Sequence, residues 1–377
     1  MDLTPRVRTL LEAALVRPAA ALEDAERRRL VAQSSALGLF PVYARLLGNG
    51  EDTAQLLDET RRTHQARRLW VRHTAQRALA ALAPVGPVVL LKGEPLAVAL
   101  MGDAALRTST DVDLLLAPPQ IKPAIAALAA LGYRAEALRP WTYNQVMLTA
   151  PKLVPIELHW RLALPPLPAP AVAEVLAQRQ GCSLWPGTAL SILPPDLCFI
   201  HLLLHAHQHL GALKTLVDIA AWLDRCAPEV DLHRVQRRVS ALGLRGVMAW
   251  ALATVGTLCG EPLLGAGGLA TRFGLSPAVL DRFAVRRFVR HSTHAVAHAM
   301  LGADQAPGRA LYLVGQGRRL RDKVLGVGLQ GASMALLDTA GARWRGLGGA
   351  WLLGPHRVGE AVNRVRWRRR AFFADEP

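Results

Sequence analysis

Asp111 and Asp113 stand one residue apart in "LRTSTDVDLLL", at the mouth of a short apolar run. On a strand, residues two apart project to the same face, so the two carboxylates share one side while Val112 and Leu114 turn to the core. Lying about 7 Å apart along such a strand, they repel unless something offsets their charge. Turn N–H groups would do so, and so would a divalent cation. Mg²⁺ takes a few carboxylates together with phosphate oxygens. Two such ions suit phosphoryl or nucleotidyl transfer, where they stabilise the attacking and leaving oxygens. A third carboxylate, Glu157 in "PIELHW", follows 44 residues after Asp113 on another apolar run. A carboxylate on an inner strand is uncommon without a purpose; an ion pair on an edge strand is the other reading.

A phosphate site needs donors as well as metal ligands. "LLKGEPLA" reads as a strand, a glycine turn and the start of a helix, and backbone N–H groups in such a turn receive anions. Lys92 beside Gly93 adds a cation that can face a triphosphate. Arg107, four residues ahead of Asp111, adds another.

The elements around these residues follow from pattern. Residues 4 to 80 read as helices: Thr4-Pro5 as an N-cap and first turn, "LVAQSSALGLFPVYARLL" as a second helical region, and "EDTAQLLDETRRTHQARRLWVRHTAQRALAAL" as a third helix broken by "APVGP". Strands are predicted at "VVLLKG", "DVDLLLA", "YRAEAL" and "KLVPIELHWRL", and helices at "EPLAVALM" and "IKPAIAALAALGY", the latter with Gly132 as its C-cap. Beyond the Pro-rich "ALPPLPAPAV" helices return. The strongest is one long helix over "DLCFIHLLLHAHQHLGALKTLVDIAAWLDR", capped by Asp196. The fold class expected is α+β, mostly helical. A small mixed α/β palm at 85–165 lies between an N-terminal helical region (1–84) and a C-terminal helical domain (166–300), and a basic Gly- and Arg-rich helical tail spans 301–377.

Totals narrow the function. The 377 residues carry a net charge of +16, nearly all from arginine, which favours an anionic partner such as a nucleotide, a nucleic acid or a membrane surface. Part of that excess belongs to an Ala-, Arg- and Leu-rich composition. An apolar fraction of 51% argues against disorder. Cys182, Cys198, Cys226 and Cys259 form no CxxC pair and read as core residues in a reducing compartment. The N-terminus does not read as a signal peptide, and no run approaches the length of a spanning helix, so a cytoplasmic location is expected.

The pattern "LKGEPLAVALMGDAALRTSTDVDLLL" followed by "IELHW" resembles the polymerase-beta-type nucleotidyltransferase superfamily, and within it the bacterial branch of uncharacterised nucleotidyltransferases. The resemblance spans roughly residues 85 to 225. It implies that Asp111, Asp113 and Glu157 bind two Mg²⁺ ions, or Mn²⁺ in their place, and that Glu157 also acts as base toward an acceptor hydroxyl. It implies that Gly93 faces the triphosphate of an NTP. It extends to the helix carrying Lys214 and Asp218, which relatives place over the active site: Lys214 for the triphosphate, Asp218 for the lysine or an acceptor hydroxyl. An i, i+4 ion pair between those two is the simpler reading. The chain departs from the superfamily in having Gly93-Glu94 where Gly-Gly or Gly-Ser is usual, and Glu157 where the branch more often has Asp.

The expected activity is therefore transfer of an NMP from an NTP to an unknown acceptor, with release of pyrophosphate. Two alternatives stay open: a catalytically inactive relative that binds nucleotide or RNA, and a toxin-like enzyme that modifies tRNA. His201, His205 and His209 form an i, i+4, i+8 stripe with metal-ligand spacing, yet without an acid among them they read better as helix histidines in the core or beside the pocket. "RVRWRRRAFF" near the C-terminus interleaves bases with aromatics, as an RNA- or lipid-contacting segment does, although a solvated tail has the same composition.

Overall fold

The computed structural model describes residues 3–14, 23–47, 51–136, 144–164, 167–208, 213–262, 264 and 268–277. The predicted basic tail, "RVRWRRRAFF" and His209 lie outside them.

Four helices lead: α1 (Pro5–Ala14), α2 (Asp24–Ala36), α3 (Phe40–Leu47) and the 32-residue α4 (Glu51–Leu82). Then come β1 (Val89–Leu90), α5 (Glu94–Met101), β2 (Val112–Leu115), α6 (Ile121–Ala129), β3 (Arg134–Ala135), β4 (Gln145–Thr149) and β5 (Ile156–His159). They are followed by α7 (Val172–Ala177), β6 (Gln180–Cys182), β7 (Leu190–Ile192), α8 (Pro195–Gln208), α9 (Leu213–Arg225), α10 (Leu232–Ala241), α11 (Arg245–Cys259) and α12 (Leu269–Arg272). The fold is α+β and mostly helical, with one mixed five-stranded sheet and a two-stranded ribbon.

The sheet runs β1-β2-β5-β4-β3. β2 and β5 are parallel, and the other neighbours are antiparallel. A parallel pair needs a long crossover, and here α6, β3 and β4 supply it. Register sets Asp113 opposite Glu157 and Leu115 opposite His159. Period 2 then fixes the faces. One face of the sheet carries Val112, Leu114, Ile156 and Leu158, which join Ala75, Ala78, Leu79 and Leu82 of α4 and Ala124 and Leu128 of α6 in one core cluster. The other face carries Asp113, Leu115, Glu157 and His159. Leu115, with Val89 of β1, belongs to a second cluster built on α1, α8, α9 and α11. Its centre is a stack of Phe199 on Trp222, ring centroids 4.2 Å apart, with Trp250 fully buried nearby. Each such side chain contributes roughly 2–3 kcal/mol by leaving water. The polar face of the sheet therefore looks toward the helical half.

Several expectations are corrected by these elements. The single long helix after the linker is two helices, α8 and α9, which pack on each other. The residues between them include Gly211, a poor helix former. Asp196 lies inside the first turn of α8 and, rather than serving as its cap, receives Arg238 at 2.6 Å and Arg234 at 3.2 Å. Thr4 supplies its carbonyl to Arg8 N at the start of α1, but its hydroxyl is buried without a hydrogen-bond partner among the described residues, so it does not cap through the side chain. β4 and the β6–β7 ribbon are strands that the sequence pattern does not announce.

Candidate active site

Asp113 is 1% exposed and sits at the centre of the polar face. Its Oδ1 accepts from Lys92 Nζ at 2.9 Å and from His159 Nε2 at 3.1 Å. His159 Nε2 also lies 3.3 Å from Glu157 Oε2. Ligand atoms of Asp113, Glu157 and His159 fall within 4.8 Å of one another, a group with the spacing of a metal site. Lys92 comes from the chain leaving β1, whose next residue Leu91 donates its backbone N–H to the Asp113 carbonyl. The sheet thus supplies every member of the group, and two adjacent parallel strands supply its carboxylates.

Charge balance in the group follows from burial and pairing. Burial alone would raise the Asp113 carboxyl, but Lys92 and His159 hold it well below the usual carboxylate range. Burial alone would lower His159, and hydrogen bonds to Asp113 and Glu157 raise it above its ordinary value. Lys92 is likewise raised, because Asp113 and then Asp111 outweigh its desolvation. The second oxygen of Asp113, Oδ2, is buried with no hydrogen-bond partner among the described residues. A buried carboxylate oxygen left bare is costly. A hard cation is the partner that such an oxygen fits.

Asp111 stands one residue ahead of β2 and is partly buried, outside the close group. Burial first, and then the Asp113 charge, raise its carboxyl above the ordinary value. The two aspartates are therefore unequal: Asp113 is sealed in the sheet face, and Asp111 guards its edge. Alternation, which puts both on one side of the strand, does not reveal this difference.

Gly93 holds the turn into α5 at φ +89° and ψ −154°, a conformation for which glycine is the natural choice. Glu94 is the residue that departs from the superfamily pattern. It is 5% exposed, and its Oε2 accepts from Arg72 Nε at 2.7 Å and Trp185 Nε1 at 2.8 Å. Arg68 lies 3.6 Å from its other oxygen. Its charge is balanced by Arg72 and Arg68 of α4 and by the indole of Trp185, between β6 and β7.

Helix α9 reaches the site by two contacts. Arg107 Nε donates to both oxygens of Asp218, at 3.1 and 3.2 Å, and both side chains are almost wholly buried. Lys214 Nζ donates to the Thr108 carbonyl at 2.6 Å, and Thr108 Oγ1 donates in turn to the Gly38 carbonyl at 2.8 Å. Lys214 and Asp218 therefore share a face, as their spacing requires, but each binds the loop before β2 instead of the other. Burial, and then Arg107, push the Lys214 ammonium down to about 8.

His159 joins Asp113 and Glu157 in this group, although the sequence pattern alone assigns it no role. It is on the same face as Glu157 by simple alternation, which is the signal that pointed to it. Of the histidine stripe, His201 is in the core, 4% exposed and pushed down to about 3 by burial, and the half-buried His205 pairs through Nδ1 with Thr215 Oγ1 at 3.0 Å.

Among the described residues no helix is long and apolar enough to cross a membrane. A search of the curated proteins gives no match. A family model described as uncharacterised nucleotidyltransferase matches residues 23–260. That match takes in the turn at Gly93, both aspartates, the Glu157 strand and helix α9, and on it the chain belongs to the uncharacterised nucleotidyltransferase family.

Proposed function

We propose that the protein is a Mg²⁺-dependent nucleotidyltransferase that moves an NMP from an NTP onto an acceptor hydroxyl or phosphate and releases pyrophosphate. One observation carries this reading: Asp113 and Glu157 are paired in register on parallel strands, and the buried Oδ2 of Asp113 has no hydrogen-bond partner among the described residues. Asp111, Asp113 and Glu157 would hold the metal, with Mn²⁺ as a substitute. When bound, it neutralises the phosphates and orients the α-phosphorus.

The remaining roles fall to the chain itself. The Gly93 turn and Lys92 receive the triphosphate, and Lys92 exchanges its Asp113 contact for a phosphate oxygen. Lys214 and the terminal nitrogens of Arg107 approach from the side of α9. Asp218 is a positioning residue, because it grips the Nε edge of Arg107 and so fixes the plane of the guanidinium. Where the acceptor is a hydroxyl, Glu157 takes its proton as the oxygen bonds to the α-phosphorus; an ionised phosphate acceptor attacks through its own oxygen and needs no base. The bond to the pyrophosphate oxygen breaks, and the electron pair leaves with pyrophosphate.

The test is incubation of the full-length protein with α-labelled NTPs, Mg²⁺ and a cell extract. Label should move to a discrete acceptor with matching release of pyrophosphate, and Asp113→Asn should abolish transfer while keeping the fold by circular dichroism. Tight NTP binding with no pyrophosphate release would replace this reading with that of a nucleotide-binding protein.

A further inference from the structure

Beside the carboxylate group lies a cavity of about 630 Å³ between α3, α4 and residues Ala105–Ser109. Its volume is in the range of sites for nucleotide-sized ligands. Five arginines line it, Arg45, Arg61, Arg67, Arg68 and Arg107, and no acid is among the lining residues. Four of the five touch a carboxylate outside the wall: Arg45 binds Asp103, Arg61 binds Asp58, Arg68 lies near Glu94 and Arg107 binds Asp218. A guanidinium has five donors in a planar fork, so an acid on one edge orients it and leaves other N–H groups for an anion. The cavity also offers a flat surface. His64 stacks on Phe40 with centroids 4.8 Å apart and planes 12° from parallel, and both line the wall. Burial, then the Arg67 charge, keep His64 below its ordinary value, and its Nδ1 is buried without a hydrogen-bond partner among the described residues. A neutral imidazole beside arginines suits a base or sugar edge.

The same helix continues the surface outside the cavity. From Thr60 to Leu82, α4 has six arginines and no acid. Trp70 is 51% exposed and stands three residues from Arg67, one helical turn along. An exposed indole among guanidiniums is the combination on which unpaired bases stack.

We propose that this cavity is the acceptor site and takes the phosphorylated end of a single-stranded polynucleotide, with the strand running out over Arg67 and Trp70. Arg107, which serves the triphosphate, closes the cavity on the side of Ser109 and Asp111, so a strand end seated on Arg45, Arg61, Arg67 and Arg68 meets the carboxylate group across it. Naming the cavity the acceptor site rests on the transfer reading; binding of the strand does not.

The experiment titrates a fluorescently labelled, phosphorylated single-stranded oligonucleotide onto the full-length protein in the absence of NTP. Binding should weaken with salt, and Arg67→Glu and Trp70→Ala should each reduce affinity by about tenfold or more, with melting temperatures unchanged because both side chains are exposed. An excess of non-hydrolysable NTP should leave the oligonucleotide bound. Affinity unaltered in both variants, or displacement of the strand by NTP, would overturn the proposal. A protein that binds the strand through Arg67 and Trp70 yet releases no pyrophosphate from any NTP would keep the strand site and remove the transfer reading.

Discussion

Lys92 Nζ lies 2.9 Å from Asp113 Oδ1, so the central carboxylate of the sheet face carries its own counter-ion. Asp113 has no water-exposed side-chain surface, and its charge persists in the sheet because that ammonium and His159 lie against it.

Removing the ammonium should therefore be felt in stability. Lys92→Ala leaves a buried carboxylate with His159 as its main support, which costs about 3 kcal/mol, measurable by urea unfolding. Mg²⁺ should then raise the melting temperature of this variant more than that of the wild type, because a cation replaces the lost charge. Equal shifts in the two proteins would mean that Asp113 does not hold the metal.

Arg107 and Asp218 should behave as one unit. Each single alanine variant strands a buried charge and should destabilise by about 3–4 kcal/mol. The double variant should fall short of the sum, with a coupling of about 1–3 kcal/mol in a denaturant-based cycle. Additive losses would show that the two side chains act independently.

At Gly93 the space and the backbone give opposite answers. An added Cβ would meet nothing nearer than Pro95 Cδ at 4.0 Å, but φ is +89°. Gly93→Ala should thus cost about 1–2 kcal/mol through conformational strain alone, and NTP affinity should fall as the turn shifts. Unchanged stability and affinity would show that the turn tolerates a side chain.

The pH dependence of NTP affinity should report Lys214. Its ammonium is charged below about 8 and neutral above, so the apparent Kd for NTP should rise as pH climbs through that value. Lys214→Arg, which stays charged, should flatten the rise. The stability sign is the reverse. In the unfolded chain this lysine keeps its proton up to its ordinary value near 10.5. Between about 8 and that value the unfolded state binds more protons, so this group makes stability increase with pH. A Kd profile that is flat in the wild type would remove Lys214 from the triphosphate site.

The residues of the site differ in how far local pattern reveals them. Asp113 and Glu157 are legible because alternation with Leu114 and Leu158 fixes their face. His159 follows from the same period, but its bond to Asp113 depends on β2 and β5 being neighbours, and neither strand announces the other. Lys214 and Asp218 are visible as an i, i+4 pair. Their true partners, the Thr108 carbonyl and Arg107, lie across the boundary between sheet and helices, where only the packed structure brings them together. The helices read well, and α4 has the predicted bounds because a 32-residue amphipathic run ends at a Pro- and Gly-containing break. β1 and β3 are two residues each and exist by virtue of their partners. β4 begins on Gln145 and has only Val146 and Leu148 facing the core, too short a run to stand out.

The partners of the site are far apart along the chain: 21 residues for Lys92 and Asp113, 46 for Asp113 and His159, and 111 for Arg107 and Asp218. A nascent chain on the ribosome can close the first two when the palm has emerged. It cannot fix Arg107 until α9 has followed. Translation thus delivers Arg107 and the carboxylates before the Asp218 that anchors the arginine, and the group is complete only once α9 has emerged.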